Sequence, residues 1–127
     1  MTATILIAED EPSIRDLMDL ILTQAGFEVS TAPDGKAALD LMKRSRFDLV
    51  LLDIRMPHMS GLDVLAALGR LPYMPRALMV SANCAAETVR EAVGLGCSDY
   101  LAKPFAPAAL VARVRNALAS PAPLLLN

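Results

Sequence analysis

The sequence predicts an α/β domain, a doubly wound sheet of five parallel strands with helices on both faces. Three observations predict it. Short apolar runs alternate five times with longer stretches of helical period. The first, third and fourth runs are almost continuously apolar, as strands buried on both faces should be. The chemically distinctive polar residues then follow the strands, on the one sheet edge where such folds carry their sites.

Taken in order, the first strand is expected at Thr4–Ala8. Pro12 suits the opening turn of the first helix, Ile14, Leu17, Met18, Ile21 and Leu22 hold one face, and Gly26 ends it. Across the second strand, Glu28–Ala32, Val29 and Thr31 alternate with polar Glu28 and Ser30, which suits an edge. Asp34 can cap a second helix bearing Ala38, Leu41 and Met42. The third strand is Leu49–Leu52, and Ser60 can cap a third helix with Leu62, Leu65 and Ala66 inward. The fourth strand, Ala77–Val80, precedes a helix around Glu87–Val93 that Gly94 or Gly96 stops. The fifth, Asp99–Ala102, precedes a helix opened by Pro107, with Leu110, Val111, Val114 and Leu118 on its inner stripe.

A chain of 127 residues is the size of one domain, expected over residues 1–119, with 120–127 a short tail carrying no output domain. Hydrophobic residues at 54% and charged residues at 20% exclude global disorder. A net charge of −2 and a pI near 5.3 offer no basic face, so no direct contact with nucleic acid is expected. The run Ile5–Ala8 is too short for a bilayer and lacks a signal peptide's basic flank. Cys84 and Cys97 form no CxxC pair, so a cytoplasmic protein with no membrane association is expected.

Glu9 and Asp10 follow the first strand and Asp53 ends the third. If those strands are neighbours, three carboxylates converge and repel unless a cation lies between them. All-oxygen ligation with room for water and phosphate points to Mg²⁺, with Mn²⁺ as a substitute. Asp53 emerges directly from the buried run Leu49–Leu52, and a carboxylate can attack phosphorus and carry it as an acyl phosphate. Lys103 and Ser81, at the ends of the fifth and fourth strands, could neutralise and hydrogen-bond phosphoryl oxygens. Each residue alone has a plainer reading as a solvated or capping side chain; the joint pattern favours chemistry.

Four segments carry a resemblance: Ile5-Leu6-Ile7-Ala8-Glu9-Asp10-Glu11, Asp53-Ile54-Arg55-Met56-Pro57 with Gly61 beyond, Ser81-Ala82, and Tyr100-Leu101-Ala102-Lys103-Pro104-Phe105. In this order and spacing the chain resembles the receiver domains of two-component response regulators over residues 4–119. The resemblance implies the flavodoxin-like strand order 2-1-3-4-5 and a phosphorelay switch. It makes Asp53 the phosphoacceptor, with Glu9, Asp10, Asp53 and the Arg55 backbone carbonyl as Mg²⁺ ligands. Ser81 and Lys103 bind the phosphoryl group, Ser81 and Tyr100 form the switch, and Lys103-Pro104 is a cis peptide. The implied donor is a histidine kinase or histidine phosphotransfer protein. The implied downstream target reads the face of the fourth helix, fifth strand and fifth helix.

Some residues depart from the family's usual pattern. Ser81 stands where Thr is common, keeping the hydroxyl without the stiffening β-branch. Arg55 and Asn83 occupy positions that tune hydrolysis in this family. Asp99 and Arg113 match charges used by some members to pair, while Ser98 and Ala109 fill expected charged sites, so a monomer or a weak, phosphorylation-dependent dimer is expected. Met1 and the abrupt tail favour a stand-alone receiver; the alternative is a receiver from a longer transcriptional regulator or hybrid kinase. A remote alternative, an aspartyl-nucleophile phosphatase, wants an Asp where Arg55 stands. A flavin-binding module wants a phosphate cradle where Glu9-Asp10-Glu11 would repel phosphate.

Overall fold

A computed structural model describes residues 2–120. Residues 121–127, most of the expected tail, lie outside the described residues. Five strands, β1 (Thr4–Ala8), β2 (Glu28–Ala32), β3 (Leu49–Leu52), β4 (Arg76–Ser81) and β5 (Asp99–Ala102), form one sheet in the order β2-β1-β3-β4-β5. All neighbours are parallel: Ile5 lies opposite Val29 and Leu49, Leu49 opposite Arg76, and Leu78 opposite Asp99. β2 is an edge, as its alternating pattern implies.

Successive side chains on the central strands point to opposite faces and fill two cores. Leu6, Ala8, Val50, Leu52 and Met79 pack against α2 (Gly35–Arg44), α3 (Gly61–Ala67) and α4 (Ala86–Gly94) through Ala38, Met42, Val64 and Ala92. Ile5, Ile7, Leu49, Leu51 and Val80 pack against α1 (Pro12–Gln24) and α5 (Pro107–Ala119) through Met18, Leu22, Leu110 and Val114. The caps form as the sequence suggests. Asp34 accepts from the Ala37 N–H at 2.8 Å, and Ser60 and Asp63 make a reciprocal capping box.

Three local expectations need correction. β4 runs one residue further at each end than the apolar run, because Arg76 and Ser81 still pair with their neighbours. On α3 it is Val64 and Ala67, not Ala66, that are buried with Leu65, so the stripe is rotated to put the larger Val64 inward. On α1, Leu17 is 47% exposed; only Met18 and Leu22 are fully buried there, while Leu17 stands on the rim of a groove beside Pro104 and Phe105.

At the amino edge of the sheet, Tyr73 in the α3–β4 connection closes the α2–β3 turn. Its hydroxyl lies 3.0 Å from the Met42 carbonyl and 2.8 Å from that of Ser45, and accepts from the Phe47 N–H at 3.3 Å. The Arg46 guanidinium covers its ring at 4.6 Å. Nearby, Asp48 accepts from the Thr4 N–H at 2.8 Å.

Candidate functional site

β1 and β3 are neighbours, so their ends deliver the carboxylates to one place. The Asp53 N–H donates to the Ala8 carbonyl at 3.3 Å, which extends the ladder and fixes Asp53 beside the end of β1. Glu9 is 2% exposed and Asp53 8%, whereas Asp10 is exposed. One ligand oxygen from each of Glu9, Asp10 and Asp53 lies within 4.8 Å of the others. Glu9 is braced further by the Glu11 N–H on its Oε2 at 3.2 Å and by Arg15 on its carbonyl at 3.0 Å.

Lys103 enters from β5, its N–H bonded to the Ser81 carbonyl at 3.0 Å. Its Nζ donates to Asp53 Oδ2 at 2.7 Å and to Glu9 Oε1. One ammonium thus bridges two buried carboxylates, while the third faces solvent. Burial works against the lysine's charge, but the hydrogen bonds to Asp53 and Glu9 outweigh it and hold its pKa above the usual lysine value. Burial pushes the Glu9 carboxyl up, with Lys103 opposing part of that rise. The Lys103-Pro104 peptide is cis, as expected.

Ser81 is 1% exposed, and its Oγ accepts from the Asn83 N–H at 3.1 Å. Tyr100, half-buried on β5, donates its hydroxyl to the Asn83 carbonyl, and burial raises its pKa. Asn83 turns its own amide oxygen toward the Ala85 N–H at 3.3 Å. The loop after β4 is therefore tied to both Ser81 and Tyr100. A cavity of about 490 Å³ opens over Asp53, between Arg55 and the Ser81–Ala85 loop. Arg55 is exposed at its rim, its backbone N–H directed to Asp53 Oδ1 at 3.4 Å.

Glu9, Asp10, Asp53, Arg55, Ser81, Asn83 and Lys103 lie at this edge, and Asp99 at the opposite one, but two details were not legible. Asp99 and Arg113 pair with each other at 3.0 Å within the chain, rather than standing free for another copy. The loop from Asp53 to α3 is pressed by two glycines, Gly61 against the Asp53 carbonyl and Gly35 against that of Met59. Gly35 was overlooked, although a glycine directly after a capping Asp is itself a signal of close approach, since helix propensity disfavours it.

The donor set fits a small, hard divalent cation: three carboxylates within mutual reach, all oxygen, and among the described residues a single ammonium paired with them.

A family model described as the response regulator receiver domain matches residues 5–115. The DNA-binding response regulator MtrA of Mycolicibacterium smegmatis is 38% identical over 120 residues, 93% of this chain and 51% of that protein. The transcriptional regulatory protein YcbL of Bacillus subtilis is 37% identical over 113 residues, 89% of this chain and 50% of that one. The chain thus spans about half the length of these curated relatives. Among solved structures, the chemotaxis response regulator CheY4 of Vibrio cholerae superposes with a TM-score of 0.85 at 32% identity, covering 92% of this chain and 99% of that one. The receiver domain of a Pseudomonas aeruginosa sensor histidine kinase, solved with a magnesium ion coordinated in its active-site cleft, superposes at 0.86 and 26% identity, covering 94% of this chain and 100% of that one.

Proposed function

The chain belongs to the response regulator receiver family of two-component signalling, and from that premise we propose that Asp53 accepts a phosphoryl group from a phosphohistidine on a histidine kinase or histidine phosphotransfer protein. A carboxylate oxygen of Asp53 attacks phosphorus as the P–N bond breaks; the electron pair stays on the imidazole nitrogen, and an acyl phosphate forms. The observation that supports this most is the bridge of Lys103 between Glu9 and Asp53, with Asp10 alongside and an open cavity above. Glu9, Asp10, Asp53 and the Arg55 carbonyl would hold Mg²⁺, with Mn²⁺ as a substitute. When bound, the cation supplies positive charge to the phosphoryl oxygens. Lys103 then turns from its carboxylate partners to one phosphoryl oxygen, and the Ser81 hydroxyl donates to another.

Engagement of Ser81 would draw it from the Asn83 N–H and, through Asn83, act on Tyr100, altering the surface of α4, β5 and α5 that a downstream protein reads. The groove of about 460 Å³ between α1 and the β5–α5 connection, rimmed by Leu17 and Phe105, suits the apolar face of the donor's helix. A second reading concerns context. The curated relatives carry about as much chain again and include DNA-binding regulators, so this receiver would control a DNA-binding partner segment rather than touch DNA itself.

Incubation with acetyl phosphate and Mg²⁺ should add one phosphoryl mass to the intact protein, and Asp53→Asn should remove the gain. Retention of the label in Asp53→Asn on the same residue that carries it in wild type would overturn the assignment. Hydrolysis needs water in line behind phosphorus, on the side flanked by Arg55 and Asn83. Arg55 has no acceptor to orient water and obstructs its approach, so the phosphorylated state should last minutes rather than seconds. Arg55→Asn should shorten that lifetime, and Arg55→Ala should do so less. Loss of wild-type label within seconds would refute a guarding role for Arg55.

A further inference from the structure

Gly35 opens α2, and a Cβ placed there would lie 2.3 Å from the Met59 carbonyl oxygen and 2.8 Å from a methyl carbon of Val64. The first distance is to backbone, which cannot rotate away as a side-chain end can. Helix chemistry does not ask for glycine at this point: Asp34 already caps the helix through the Ala37 N–H, and glycine weakens helical backbone relative to alanine. Space asks for it. α2 comes so near the β3–α3 connection that only a residue without a side chain fits.

That connection has little slack with which to absorb a push. The Gly61 N–H donates to the Ile54 carbonyl at 2.9 Å, and the Met59 N–H to the Pro57 carbonyl at 2.8 Å. His58 holds a left-handed φ of 69° between them. On the far side, a Cβ at Gly61 would stand 1.9 Å from the Asp53 carbonyl oxygen. From Gly35 through Met59 and Gly61 to Asp53, backbone therefore rests on backbone. We propose that Gly35 is a positioning residue for the cation site. By letting α2 seat against Met59, it holds the loop, and with it the Asp53 carboxylate and the Arg55 backbone, where a cation shared with Glu9 and Asp10 needs them. This rests on the Mg²⁺ reading above, which wild type tests separately.

The test titrates Mg²⁺ into the full chain without phosphate, reading the backbone amide shifts of residues 53–56 by NMR. Wild type should saturate; if it does not respond, the Mg²⁺ reading itself fails. Gly35→Ala should raise the Mg²⁺ dissociation constant about tenfold, the scale on which groups supporting metal ligands act. It should also move the amides of residues 53–56 before any metal is added. Asp34→Ala is the control: it weakens the same helix start without pressing on Met59, so it should lower the melting temperature and keep wild-type Mg²⁺ affinity. If Gly35→Ala is poorly folded, the double variant Gly35→Ala/Val64→Ala relieves the softer of the two contacts. That variant keeps the contact with the Met59 backbone, so wherever it folds its Mg²⁺ affinity should stay low. Affinity within twofold of wild type in either folded variant overturns the proposal. So does an equal loss in Asp34→Ala, or failure of both Gly35 variants to fold, which would make Gly35 a folding residue only.

Discussion

At the amino edge of the sheet, the Tyr73 hydroxyl sits among the Met42 and Ser45 carbonyls and the Phe47 N–H, and Asp48 takes the Thr4 N–H. At the carboxyl edge, Glu9, Asp10 and Asp53 converge, and one ammonium bridges Glu9 and Asp53. Both regions gather polar atoms at strand ends, exposed to part-buried around Tyr73 and Asp48 and nearly buried at Glu9 and Asp53. The first closes the hydrogen bonds of Tyr73 and Asp48 within the chain. The second gathers three carboxylates, and among the described residues Lys103 forms ion pairs with only Glu9 and Asp53. Polar groups satisfied internally stabilise a fold modestly; charges gathered without full compensation weaken it and make it responsive to what binds. The difference separates a brace from a receptor.

The largest effect should come from removing the ammonium that pairs with Glu9 and Asp53 at the carboxyl edge. Lys103→Met keeps most of the stem and leaves Glu9 and Asp53 facing each other, both nearly buried. In metal-free buffer at neutral pH this should cost about 3 kcal/mol, the scale of breaking a buried pair by deleting one partner, measured by urea unfolding. A loss within a few tenths of a kcal/mol would show that solvent already compensates the carboxylates, and the contrast between the edges would dissolve. Next in size is the response to Mg²⁺. A cation at about 100 times its dissociation constant stabilises by about 2.7 kcal/mol, so the wild-type melting temperature should rise, and Asp10→Asn should reduce the rise. An indifferent wild type would count against the site.

The smallest effect belongs to the amino edge. Tyr73→Phe should lower stability by about 1 kcal/mol and leave the Mg²⁺-induced rise unchanged, which sharpens the separation of the two regions. Coupling between that substitution and Mg²⁺ would blur it. Burial raises the Tyr73 pKa above its ordinary 10.0. The folded state therefore keeps the phenolic proton longer than the unfolded chain does. The bracing contribution is fully present below pH 10.0 and falls as pH climbs through the folded value. Tyr73→Phe should lack that alkaline component in a pH series of unfolding curves.

The two edges were also unequally legible in the sequence. The carboxyl edge announced itself because strand ends punctuate apolar runs: Asp53 directly follows Leu49–Leu52, and Lys103 ends β5. Order and burial of the strands followed from alternation and from the resemblance. The amino edge gave no such signal. Tyr73 is one aromatic in a proline-flanked stretch, and its role depends on carbonyls 28 and 31 residues earlier in the chain. No local pattern encodes that reach. The same holds for Ala66 and Val64 on α3, where helical period gives a face but not its phase once the helix has only 7 residues. Leu17 shares a helical face with Met18 and Leu22, and period cannot tell a core stripe from the rim of a groove.

The Asp99–Arg113 pair has a thermodynamic corollary for self-association. Its two charged ends already meet at 3.0 Å within one chain. A symmetric complex that recruited the same groups across its interface would trade one contact for another of nearly equal worth. Added salt would screen the bond surrendered and the bond acquired alike. The ionic-strength dependence of such a complex would then be flat, and whatever affinity it had would have to come from apolar surface such as Val93, 60% exposed on α4.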